Sequence, residues 1–369
     1  MTNETPRAIN QCQPWMEPWA EGGLETIGKC PVCEGLDKQT IHSDLVDNTF
    51  FCAPGVWHLW QCTNCRSAYL DPRPTTETIG TAYQKYYTHQ INKSKLDYDE
   101  LPWLKKQRRK IVNGYTNRRF GTRASHANRL GAYLIPCFPR YRRRLDREYR
   151  HLPETRPQDG TLLDLGCGNG GFLSIAKRCG WKVVGIDPDP SAVVEAQSMG
   201  HDARQGSIEL LDGQHEIFDL IFMSHVTEHL HDPIGVFHKC YRLLKPGGQI
   251  WIETPNIDAR GLIEFDRNWR GLEAPRHLVL FNVKSLRKAL RTIGFQTIKR
   301  EIRPIASLGI FKESLAIKEN RPLNFPVKTN MAFFIKKYII VAAEVIKPTT
   351  HEMITLTARK QGDRDNQGK

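Results

Sequence analysis

"TLLDLGCGNGGFLSIAKRCGWKVVGIDPDP", residues 161–190, decides the fold. An apolar strand runs into Gly166, Gly168, Gly170 and Gly171, and an amphipathic helix follows. Glycines let the backbone turn sharply there and let a ligand approach the chain and the helix N-terminus. A second strand, "KVVGID", ends in Asp187, where an acidic side chain can accept hydrogen bonds from a ribose diol. By spacing alone a nicotinamide dinucleotide would fit. The order G-x-G-x-G, however, lacks the last spacing of G-x-G-x-x-G, and Asp164 stands just ahead of it.

Downstream of Thr161 short apolar runs alternate with amphipathic helices, which predicts a mostly parallel sheet with crossover helices. The chain of 369 residues, 40% hydrophobic, can bury one large core or one core with a small satellite. The expected organisation is a loosely packed leader (1–28), a cysteine-rich module (29–72), a basic helical linker or cap (73–158), the α/β domain (159–360) and a polar tail (361–369). No apolar run reaches the ~18 residues of a membrane-spanning helix, and "MTNETPRAINQCQPW" lacks the apolar run of a secretory signal. A cytoplasmic location is expected. There, ten cysteines suit metal binding or burial better than disulfides.

The net charge of +13 is concentrated. Residues 90–150 carry seventeen Lys or Arg against five Asp or Glu, with "KKQRRK" (105–110) and "RYRRRLDR" (140–147) as the densest runs. Such a surface suits anionic partners: nucleic acid, acidic headgroups or phosphorylated small molecules. A merely solvated helical face is the plain alternative.

The module at 29–72 holds "CPVC" (Cys30, Cys33) and "CTNC" (Cys62, Cys65). Two such knuckles fit a tetrahedral, all-thiolate zinc ribbon, which is coordinatively closed and therefore structural. A redox dithiol would more simply occur singly beside a strand–helix unit. Cys52 and His58 are less regular substitutes, and the remaining cysteines read as buried or incidental thiols.

"LLDLGCGNGGF" followed by "VVGIDPDP" resembles the cofactor motifs of class I S-adenosylmethionine (SAM)-dependent methyltransferases. "FDLIFMSHVTEHL", "LLKPGGQIWIETPN", "SLRKALRTIGFQTIKRE" and "EMITLTARK" resemble that family's later landmarks in order. The resemblance implies a Rossmann-like, mostly parallel seven-stranded sheet preceded by the ribbon and the basic helical segment. It also implies that Asp164, Gly166, Cys167 and Gly168 line the methionine part of SAM. Asp187 would hold the ribose hydroxyls and Pro188 would border the adenine. Ser207 replaces the family's frequent Asp at the adenine amine, and Met223 with Ser224 end the strand beneath the sulfonium.

The stretch "SHVTEHLHDP" (224–233) then falls where acceptor meets SAM, with Asp232 and Pro233 as cap and first residue of the next helix. SAM is already activated, so the enzyme orients the acceptor and removes its proton, and His229 is the expected base. His225, Glu228 and His229 stand at i, i+3, i+4, resembling the E-x-x-E-H motif of ubiquinone-pathway and small-RNA methyltransferases with His225 in the first acidic place. A second metal held by His225, Glu228, His229 and His277 is the competing reading. In "NWRGLEAPRHLVLF" (268–281), His277 would be a second base or fourth ligand, Arg276 a cation for an anionic acceptor and Trp269 an apolar wall. His231 and His238 read as solvated helix surface.

Residues 305–350 form an expected helical insertion or lid. Within it "MAFFIKKYIIVAAEVI" (331–346) is either buried or laid on a membrane surface, with 90–150 as the cationic partner contact at the inner face. The ribbon with "PRHLVLF" resembles bacterial enzymes of sugar, polyketide or surface-glycan methylation. The expected reaction is O-methylation of a small anionic, sugar-like or lipid-linked glycan substrate. An RNA methyltransferase gripping through ribbon and basic arm is the second reading. A zinc-ribbon binding module on an inactive fold is the third.

Overall fold

A computed structural model describes residues 14–84, 98–153, 157–301, 306–321, 323 and 346–362. Its centre is a seven-stranded sheet. The strands are β4 (Thr161–Leu165), β5 (Lys182–Asp187), β6 (Asp202–Gln205), β7 (Phe218–Ser224), β8 (Leu244–Pro255), β10 (Gln296–Arg300) and β11 (Met353–Arg359), in the order β10-β11-β8-β7-β4-β5-β6. All neighbours are parallel except β11, which runs antiparallel between β8 and β10. This is the expected Rossmann-like sheet. The runs "LLDL" and "LIFM" lie buried along β4 and β7, as strands covered on both faces require.

Strand order reverses between β4 and β7, which opens a crevice at their carboxyl ends. The glycine loop joins β4 to α3 (Gly171–Arg178), α4 (Pro190–Ser198) follows β5, and the His-rich stretch follows β7, so the glycine loop and the His-rich stretch meet at that crevice. Helix α5 (Pro233–Leu243) starts there. Asp232 caps it by accepting from the Gly235 N–H at 2.8 Å, and Pro233 is its first residue. Helix α6 (Val283–Ile293) opens with a capping box of Asn282 and Ser285 and buries Val283, Leu286, Ala289 and Leu290 at helical spacing.

The cysteine-rich module forms an antiparallel sheet of β1 (Lys38–Leu45), β2 (Trp57–Cys62) and β3 (Ala68–Leu70), joined by β9 (Val279–Leu280) from the far end of the chain. One buried cluster runs from Trp57, Leu59 and Tyr69 through Leu278 and Phe281 to Ile221 and Ile252 of the large sheet. The ribbon therefore shares both its sheet and its core with the domain. The described part of the leader, 14–28, is also fixed rather than loose: Trp19 is buried edge-on against Trp57 and donates to the Gly23 carbonyl at 3.1 Å.

On the opposite face sit the basic helices α1 (Trp103–Phe120) and α2 (Pro139–Glu148). Tyr115, Phe120 and Leu145 pack with Leu162, Phe172, Phe222 and Trp251, while Arg140, Arg142, Arg143 and Arg144 stay exposed. Of the insertion, helix α7 (Ala306–Lys318) is described; 331–346 lies outside the described residues except for Ile346. Among the described residues no helix is long and apolar enough to cross a membrane.

Candidate active site

The cofactor side is built by one passage of chain. Gly166 has φ +70°, and a Cβ there would come within 2.4 Å of the Val226 side chain, so the loop closes only with glycine. Gly185 of β5 faces Cys167 just as closely: a Cβ would meet its sulfur at 2.6 Å. Asp187 ties the loop down, accepting from the Gly168 N–H at 2.7 Å and the Asp189 N–H at 3.0 Å. Each of its oxygens keeps acceptor capacity for a hydroxyl. Pro188 is exposed beside it. Burial and the nearby Asp164 and Asp187 push the Cys167 thiol up to about 12, which leaves it inert.

Asp164 is fully buried, and burial lifts its carboxyl to about 6 against the pull of Arg150. One oxygen accepts from the Arg150 guanidinium at 2.7 Å; the other has no hydrogen-bond partner among the described residues. An uncompensated buried carboxylate oxygen fits an ammonium, such as that of the methionine moiety. Arg150, which stacks 4.0 Å over Phe172, is a residue that sequence reasoning left inside the general basic run. Ser207 is exposed and its hydroxyl donates to Glu209. Met223 is wholly buried against Cys240, so its side chain belongs to the core; Ser224, next in the strand, is half-buried.

The acceptor side gathers distant segments. After β7 the chain does not continue as an α-helix. His225 takes φ +57°, and Thr227–His229 form a single 3-10 turn. The i, i+3, i+4 set therefore does not converge: Glu228, His229 and His277 offer ligand atoms within 4.8 Å of one another, without His225. His225 is exposed. It donates from Nδ1 to Glu228 at 3.2 Å, with Nε2 3.9 Å from Glu253, which register sets beside Ser224. Glu228 and Glu253 favour the protonated ring and raise the pKa of His225.

The tautomers follow from the partners. His229 Nδ1 lies 3.0 Å from the Arg276 carbonyl and His277 Nδ1 lies 2.8 Å from the Gly271 carbonyl. A carbonyl only accepts, so both Nδ1 atoms carry the proton and both Nε2 atoms keep a lone pair. The Tyr83 hydroxyl, 2.9 Å from the same His229 nitrogen, was not foreseen. Glu228 is fully buried and accepts from Thr254 at 2.9 Å. Burial disfavours its charge, yet the hydrogen bond and charge of His225 hold it down at about 2. Burial pushes His277 down to about 4, so it stays neutral. Two imidazole lone pairs and a carboxylate, with ring N–H groups fixed on backbone carbonyls, fit a divalent transition metal as well as they fit acid–base work.

Two expected substrate contacts are instead structural. Arg276 is fully buried. Its guanidinium bonds Asp47 in the ribbon, Glu273 at 3.1 Å and the Ala82 carbonyl at 2.7 Å, so it does not face an acceptor. Trp269 is fully buried, donating to Glu352 at 2.6 Å, and supports the loop from inside. His231 is likewise not solvated surface: its Nε2 donates to the Pro74 carbonyl at 3.0 Å. His238 is exposed on α5 as expected.

The four cysteines cluster tightly. Cys30 and Cys65, and Cys33 and Cys62, bring their sulfurs to 3.6 Å, and all four sulfurs lie within 4.8 Å. Tetrahedral thiolates at 2.3 Å from Zn²⁺ would stand about 3.8 Å apart, so the set fits the ion. Each knuckle turns through a left-handed residue just past its second cysteine, Glu34 and Arg66. Cys52 lies away from the cluster, beside Asp47.

A family model for a methyltransferase domain matches residues 138–300. A tRNA U34 carboxymethyltransferase of Aliarcobacter butzleri is 28% identical over 38% of this chain and 49% of its own length. A ubiquinone biosynthesis O-methyltransferase of Chelativorans sp. is 29% identical over 54% of this chain and 76% of its own. One of the same description from Cereibacter sphaeroides is 34% identical over 29% and 46%. The chain thus spans about half the length of two of these relatives. Among solved structures, a SAM-dependent methyltransferase from Archaeoglobus fulgidus aligns at 19% identity, covering 67% of this chain and 98% of its own, with a TM-score of 0.40.

Proposed function

We propose that this chain, whose residues 138–300 match a methyltransferase-domain model, transfers the methyl group of SAM to a hydroxyl of a small molecule, with His229 Nε2 taking the proton. The observation that carries this reading is the pair of fixed Nδ1–H tautomers beside the buried carboxylate of Glu228. Of the two lone pairs, His277 is too weakly basic at about 4 to accept a proton near neutral pH, which leaves His229. Glu228 stabilises the imidazolium that forms. His225, held protonated more readily by Glu228 and Glu253, is suited to orient an anionic acceptor. On the cofactor side Asp164 takes the methionine ammonium and Asp187 the ribose. O-methylation is also the reaction for which two of the similar proteins are named. The narrower acceptor class we propose, a small anionic, sugar-like or lipid-linked glycan, follows from the ribbon and the "PRHLVLF" element.

A metal on Glu228, His229 and His277 would polarise the acceptor hydroxyl and occupy the lone pair that His229 otherwise uses. A second acceptor reading, RNA, is favoured by the exposed arginines of α2 and by the tRNA-modifying relative. The test is transfer from isotopically labelled SAM into cell extract separated into small-molecule, lipid, RNA and protein fractions, with and without a chelator. Label in small molecules or lipid, lost in His229→Ala, is the expected result. Label confined to RNA would replace the acceptor, and label untouched by His229→Ala would remove the base.

A further inference from the structure

We propose that the zinc ribbon is part of the catalytic apparatus: through the buried Asp47–Arg276 pair it positions the His229 ring, making Asp47 and Arg276 positioning residues for methyl transfer. This rests on the role proposed above for His229. Arg276 joins the two through its own backbone. Its carbonyl accepts the His229 Nδ1–H at 3.0 Å, while its guanidinium grips both oxygens of Asp47 in a fork, with neither side chain exposed. A bidentate pair fixes the plane and distance of the arginine, and removing one charge leaves the other buried and unpaired.

Further ties hold the same loop to the ribbon. The Leu70 N–H donates to the Leu278 carbonyl at 3.1 Å, and the Asn282 amide donates to the carbonyl of Cys65, one of the four clustered cysteines, at 2.9 Å. From the other side the Leu278 N–H donates to the Glu228 carbonyl at 2.7 Å. The ring of His229 is also met by Tyr83, next to Ala82, whose carbonyl accepts from Arg276. A ribbon serving only to grip a distant partner would need none of these ties to the loop whose Arg276 carbonyl holds the His229 ring.

The experiment is Asp47→Asn in the full chain. It is read by turnover, SAM affinity, zinc content and the ring ¹⁵N spectrum of His229. The expected result is about a tenfold or greater loss of turnover, as misplacement of a catalytic group produces. SAM affinity and zinc content should hold, and the ring should leave the single Nδ1–H tautomer. A folded, zinc-loaded Asp47→Asn with the turnover and ring spectrum of wild type would overturn the proposal. So would lost turnover with an unchanged ring spectrum. If Asp47→Asn does not fold, Tyr83→Phe removes only a hydroxyl at the same nitrogen. It should shift the Nδ1 resonance and cost a smaller factor, and an unmoved resonance overturns the proposal. Should wild type methylate no acceptor, the proposed function fails, while the ring spectra still decide this inference.

Discussion

The two halves of the site are made in opposite ways. The cofactor half is a single strand–loop–helix–strand passage, residues 161–187, in which glycine conformations and one carboxylate do the shaping. The acceptor half draws Tyr83, Glu228, His229, Arg276 and His277 from three separate stretches and braces them on Asp47 from a fourth. A locally built half should tolerate damage elsewhere. An assembled half should fail whenever any supporting segment is released.

Releasing the ribbon is the severest way to test that contrast. Structural zinc contributes on the order of 10 kcal/mol to the fold of such modules. Removing the ion that these four cysteines are proposed to hold, or replacing Cys62 by Ser, should free β9 from β3 and abolish turnover, while SAM still binds the 161–187 passage. Zinc analysis, turnover and calorimetric SAM binding on one sample would decide it. Loss of SAM binding in step with zinc would erase the distinction between the halves. Next in size, His229→Ala should lower turnover by about 10²-fold or more, as loss of a general base does. SAM affinity should stay within about twofold, because no bond of His229 reaches the cofactor loop. Steady-state kinetics beside calorimetry separate the two effects.

The cofactor half offers its own test through Asp164. Burial holds its carboxyl at about 6 in spite of Arg150. Above that pH the carboxylate is charged and, in the proposed role, attracts the SAM ammonium; below it the group is neutral. SAM affinity should therefore fall as pH drops through about 6, by up to about tenfold per unit. Asp164→Asn should flatten that limb and weaken binding by about tenfold at pH 8, the worth of one charge-assisted hydrogen bond. Isothermal titrations from pH 5 to pH 8, values chosen to bracket the titration, would show it. A limb that persists in Asp164→Asn would assign the pH dependence to another group.

This division also explains what the sequence disclosed. The mostly parallel sheet, the glycine loop and the Asp232–Pro233 cap are written in short contiguous patterns, and each was legible. The four cysteines were legible because thiolate pairs at fixed spacing have few other uses. Arg276 and Trp269 were misread as substrate contacts because a charged or aromatic residue in an acceptor-side loop looks the same whether it faces inward or outward. Only the long-range partners Asp47 and Glu352 reveal that both face inward. The helical i, i+3, i+4 reading failed for a backbone reason: His225 at positive φ breaks the turn, so His277, not His225, completes the cluster. Tyr83 and Arg150 carried no local signal, since their partners lie in other segments.

The smallest predicted effect lies at Ser207, which the family resemblance sets at the adenine amine. Here the hydroxyl is already engaged by Glu209, which in turn pairs with Lys239 at 3.0 Å. Reaching the adenine amine would exchange a bond to a charged acceptor for a weaker neutral one, with no net gain. Ser207→Ala should therefore change the SAM dissociation constant by less than about twofold, or about 0.4 kcal/mol. The check is calorimetry on wild type and Ser207→Ala, repeated with Glu209→Gln. A tenfold weakening in Ser207→Ala alone would mean that the hydroxyl leaves Glu209 when SAM arrives. The cofactor half would then rearrange on binding, and the contrast with the acceptor half would be one of timing rather than construction.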